Sequence, residues 1–147
     1  MPTPNSTNIN TADPARPVSL VRSIGAVFAG MIVVFVLSLG TDALLHAIGV
    51  FPSSWKQRMS DPLFAVATVY RIAYGIIGGY VTAMLAPARP MQHAIFYGLV
   101  GLALSVIGAA ATWNMPEIGP RWYPVALVIT ALPCAWIGGK LRISRSR

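Results

Sequence analysis

Between Leu63 and Leu85 this chain runs for 23 residues, LFAVATVYRIAYGIIGGYVTAML, with a single charge, Arg71, well inside. The run is apolar enough and long enough to cross a bilayer as a helix. A lone guanidinium in hydrocarbon costs about 3 kcal/mol on insertion scales. Arg71 must therefore face protein or water, and it needs a partner. Three more apolar runs, at about 24–45, 94–112 and 122–139, are of similar length. The expected fold class is all-α: a four-helix transmembrane bundle, up-down-up-down, within residues 18–141.

Composition supports this reading. Only 10% of the residues are charged and the mean hydropathy is +0.63, whereas soluble domains carry about 25% charged residues. The net charge of +7 sits beside the spans, where topology and anionic lipid account for it. No basic patch is interleaved with aromatics, so no nucleic-acid partner is expected.

Residues 1–17 are rich in Pro, Asn and Thr. They cannot bury enough surface to offset their ordering entropy and are expected to be a disordered cytoplasmic tail. They do not read as a conventional signal peptide, because the apolar run that follows is too long. In the first span Asp42 and His46 are spaced i, i+4 and so share a helical face, with Ser38 and Phe35 further in. Residues 49–62 form a loop in which Phe51 and Trp55 suit the water–lipid boundary.

The second span carries Gly75, Gly78 and Gly79, a small patch that lets another helix approach closely. Arg71 lies near that face with Tyr74 beside it. In the third span Gly98, Gly101, Ser105 and Gly108 form a stripe at 3–4–3 spacing, expected to be a packing face. Residues 86–93 form a short connection, making the second and third spans antiparallel neighbours. Trp113, Trp122 and Tyr123 read as an interfacial belt. Pro133, inside the fourth span, removes a backbone hydrogen bond and is expected to kink the helix. Residues 142–147 read as a basic cytoplasmic tail.

Charge counting sets the expected orientation. Arg16, Arg22, Arg89, Lys140, Arg142, Arg145 and Arg147 fall on one side, and Lys56, Arg58 and Arg121 on the other. The positive-inside rule places both termini in the cytoplasm.

The segments VYRIAYGIIGGY, LAPARPMQH, WYPVAL and LPCAWIGG resemble those of a family of small four-span bacterial inner-membrane proteins, over about Asp42 to Leu141. The resemblance implies a multi-pass location in the bacterial inner membrane and brings no assigned activity.

Three ionisable side chains stand within the spans: Asp42, His46 and Arg71. On antiparallel helices Asp42 and Arg71 come to similar depth in the outer half, so a buried ion pair between them is expected, within a polar cluster that also holds His46 and Tyr74. The pair can fix helix register, or it can line a polar cavity for a proton or small ligand. His46 and His93 lie on opposite sides and make no metal site. Cys134 is the only cysteine and reads as a small packing residue. No nucleophile–base set, paired carboxylates or phosphate loop is visible, so no catalytic residue and no cofactor is expected. The expected function is non-enzymatic: a packing or interaction module whose partners are the lipid bilayer and a second copy of the chain or another membrane protein. The alternative is a small proton-coupled transporter or carrier.

Overall fold

The computed structural model of the chain describes residues 16–52, 59–115 and 118–146, with side chains from Leu20 onward. Residues 1–15 of the expected tail, Trp55, Lys56 and Arg58 in the first loop, Glu117 in the second and the terminal Arg147 lie outside the described residues. Four helices follow in order: α1 (Arg16–Ala47), α2 (Asp61–Leu85), α3 (Pro90–Thr112) and α4 (Trp122–Arg145). Each is long and apolar enough to cross a membrane, and the described residues hold no strand.

All four spans exist where the apolar runs place them, but three helices outrun their runs by more than a turn at the end rich in Arg and Lys. Helical N–H groups need no apolar neighbours, so a helix continues into water until a breaker stops it. α1 starts at Arg16 and its 32 residues rise about 48 Å. α3 starts at Pro90, which suits a first helical position because its missing N–H has no partner there anyway. α4 continues to Arg145, so most of the expected C-terminal tail is helical. α4 also runs unbroken through Pro133. The α2–α3 connection shrinks to residues 86–89, with Arg89 in the left-handed region at φ 48°.

After α1 the chain turns at Gly49, whose φ of +76° suits a residue without a Cβ. The amides of Val50 and Phe51 donate back to the Leu45 carbonyl. This turn folds Phe51 inward. Phe51 is 3% exposed and meets His46 edge-on at 5.4 Å, so it packs against its own chain.

The bundle is built on α2, α3 and α4. α2 packs most extensively on α4, α3 packs on α4 nearly as much, and α2 meets α3 over a smaller area. The expected α2–α3 neighbours are therefore largely bridged by α4. Glycine makes this possible. A Cβ on Gly79 would stand 2.9 Å from the Ala135 carbonyl oxygen, and one on Gly138 would stand 2.6 Å from the Tyr80 amide. Gly75 lies against Cys134, and Gly98 against Ala135. Ala135, fully buried, is where the three helices converge. The Tyr97 hydroxyl adds a bond to the Gly75 carbonyl at 3.3 Å. The GxxxG face of α2 is thus consumed inside one chain.

α1 is the peripheral helix. It lies antiparallel on α2 and touches α3 more lightly, and among the described residues none of its Cα atoms comes within 8 Å of one in α4. Its closest approach is Gly30, which packs against the Gly78 carbonyl and the hydroxyl of the fully buried Thr82.

Candidate functional site

The polar cluster forms where α1 crosses the first half of α2. Asp42 stands five residues before the end of α1, and Arg71 ten residues into α2. That puts them about 7 Å and 15 Å from their helix ends. Side-chain direction closes the gap. Every Cα–Cβ bond tilts toward its helix N-terminus. On antiparallel helices these tilts oppose, so Asp42 leans into the membrane and Arg71 leans out to meet it.

The Arg71 guanidinium donates to Asp42 Oδ2 at 2.7 Å. The expected ion pair is present, with one correction: each side chain keeps 25% exposure, so the pair is part-buried. The reason is the light α1–α3 contact, which leaves that flank open.

Three side chains complete the cluster that spacing alone did not assign. The Tyr70 hydroxyl donates to Asp42 Oδ1, so both carboxylate oxygens are used. The Tyr70 and Tyr123 rings lie 5.3 Å and 5.7 Å from the guanidinium carbon, at cation–π distance. Thr41 bonds the Tyr74 hydroxyl at 2.8 Å. Tyr74 therefore belongs to the cluster, but through Thr41 and the Tyr70 ring, 5.7 Å away. Tyr123, at the start of α4, turns its ring onto Phe64 as well. Its neighbour Trp122 and Trp113 remain well exposed. His46 Nδ1 donates to the Asp42 carbonyl at 2.8 Å, which ties the histidine to its own helix turn.

The third-span stripe divides. Gly98 packs, but a Cβ on Gly101 or Gly108 would meet nothing within 4 Å. With Ser105, these residues line clefts. One cleft, of about 290 Å³, reaches the face of Arg71 and is lined also by Ser38, Tyr97 and Thr130. A second, of about 410 Å³, lies under the α3–α4 connection beside Gly108, Arg121 and Tyr123. Leu104, Ser105 and Leu127 border both.

Fold and site together define the class: a helical multi-pass membrane protein with one intramembrane ion pair beside an internal cleft. Comparison with family models, characterised proteins and solved structures finds no match. Function is therefore argued from the geometry.

Proposed function

We propose that the chain is a non-enzymatic interaction module of the bacterial inner membrane, with both termini in the cytoplasm. In this reading α2, α3 and α4 form the rigid body, and α1 is the helix that meets a partner: a second copy, or a helix of another membrane protein. One observation carries it. The glycines of α2 and the Gly138–Gly139 pair of α4 are spent on internal packing, whereas Gly25 and Gly40 on α1 face open space. Ala29 lies four residues after Gly25 and eleven before Gly40, close to one face at three to four residues per turn. Small residues on an unpartnered helix face permit the close approach that membrane helices use to associate. The Asp42–Arg71 pair then holds α1 in register on α2 and presents that face.

The experiment is crosslinking and copurification from native membranes, with wild type and Gly25→Leu compared. A Cβ added at position 25 would meet nothing within 4 Å. Wild type should yield a crosslinked dimer or a discrete partner, and Gly25→Leu should lose it with unchanged thermal stability. A wild type that is monomeric and partnerless, or a variant that associates equally well, rejects the reading.

The Arg71 cleft supports a second reading, a proton-coupled carrier. It holds Arg71, the cationic half of the pair, in a wall that Ser38, Tyr97 and Thr130 also line. A carrier would give substrate- or proton-dependent flux in liposomes that Asp42→Asn abolishes, and an interaction module would give none.

A further inference from the structure

Because α1 packs on α2 and only lightly on α3, a wedge remains open between α1 and α3. It encloses about 650 Å³, and every side chain along it is apolar. Ile24, Phe28 and Phe35 line one wall, and Phe96, Val100 and Leu104 the other. From Ile24 to Val36 it extends about 18 Å along α1. That is about the length of one leaflet's hydrocarbon, half of the ~30 Å core.

The foot of the groove differs in character. His93, Phe96, Val100 and Leu104 follow one another at spacings of three, four and four, so they share one face of α3, and Arg89 stands at the N-terminal cap of that helix. Arg89 is exposed, and His93 Nδ1 lies 3.3 Å from the Arg89 carbonyl. This face therefore runs from basic at the membrane boundary to wholly apolar inside. Arg22, Lys140, Arg142 and Arg145 stand at the same end of the bundle. The acidic side chains among the described residues, Asp42 and Asp61, are both at the other end.

We propose that this groove holds one acyl chain of an anionic phospholipid from the leaflet at the basic end, with its head group against Arg89 and His93. Charge complementarity selects the head, and the apolar walls select the tail. An empty groove would forgo dispersion contacts along both walls, and water in it would find no polar partner. A whole helix, about 10 Å wide, would ride over the groove because α1 and α3 touch. A single acyl chain can enter it. The groove shares Met31, Phe35 and Leu104 with the walls of the Arg71 cleft, but the proposal does not rest on the interaction-module reading.

The test is native mass spectrometry of the full chain released from detergent, titrated with phosphatidylglycerol and with phosphatidylethanolamine of the same acyl chains. Wild type should hold one phosphatidylglycerol with a preference of about fivefold, the scale of one basic residue at a membrane surface. The double variant R89Q/H93Q should reduce that preference to about twofold or less. Val100→Phe, which fills the groove, should lose both lipids, and Ile32→Phe on the facing wall should do the same if Val100→Phe does not fold. Phosphatidylglycerol bearing a diazirine in its acyl chain should label peptides containing Phe96–Leu104 or Ile24–Val36. Equal binding of the two lipids, a preference that survives R89Q/H93Q, binding that survives both groove-filling variants, or labels on other faces would overturn the proposal. A groove that becomes protected only when the chain dimerises would also overturn it, and would assign the surface to a second copy.

Discussion

Asp42 accepts from two side chains, Arg71 and Tyr70, and this decides what each substitution does. Loss of Arg71 leaves a carboxylate that keeps the Tyr70 hydroxyl as a hydrogen-bond partner. Loss of Asp42 leaves a guanidinium that cannot give up its proton. Asp42→Asn should therefore lower thermal stability in detergent more than Arg71→Gln. Each loss should fall near 1.5–3 kcal/mol, about the range for a hydrogen bond to a charged group, because the pair is only part-buried. The double variant should recover part of the loss, since no orphan charge remains. Strictly additive losses would mean that the two residues do not act on one another. The pair was legible in the sequence because these are the two opposite charges within the spans, at similar depth on successive helices. Tyr70 and Tyr123 were not. A tyrosine in an apolar run counts toward the span and one beside Trp122 counts toward the belt, and neither pattern shows which way a hydroxyl or ring turns.

At the scale of elements, spacing identified a packing face on α2 but not the helix that would cover it. Gly75 and Gly79 meet α4, and Gly78 lies under Tyr97 of α3 and Val34 of α1. The reciprocal glycines went unread. Gly138 and Gly139 stood at the expected end of the fourth span, and Gly30 is a lone glycine in a Val- and Phe-rich run. α3 shows the converse: its regular stripe of small residues packs at Gly98 and borders clefts at Gly101, Ser105 and Gly108. Small residues permit close approach, but only the neighbouring helix decides whether the space is filled. Leucine substitutions separate the two cases. Gly138→Leu drives a side chain into the α2 backbone at Ile76 and Tyr80. It should cost stability on the scale of overpacking, about 1–3 kcal/mol or more. Gly101→Leu extends into the cleft and should leave the melting temperature unchanged or slightly raised. Equal destabilisation by both, measured as detergent melting temperatures, would mean that the α3 clefts are closed in the membrane.

For the whole molecule, the alternation of four spans puts the α1–α2 and α3–α4 connections at one end, and the start of α1, the α2–α3 connection and the end of α4 at the other. The charge asymmetry runs along this axis. Arg22, Arg89, Lys140, Arg142 and Arg145 stand at one end, with Arg121 opposite. Lys140 folds over the Trp136 ring at 4.6 Å, which lets its stem cover apolar surface while its charge reaches water. Positive residues are retained on the cytoplasmic side during insertion. The two-loop end, and with it the Asp42–Arg71 pair, should therefore face away from the cytoplasm. Single cysteines in a Cys134→Ser background test this in intact cells with a membrane-impermeant thiol reagent. Removing Cys134 is needed only for a clean background, because its thiol is buried against Gly75. Cysteines at Ser54 and Asn114 should label before lysis. Those at Ala88 and Ser146 should label only after the membrane is opened. The reverse pattern would turn the molecule over, place the ion pair and its cleft in the cytoplasmic half, and put the basic foot of the α1–α3 groove in the outer leaflet.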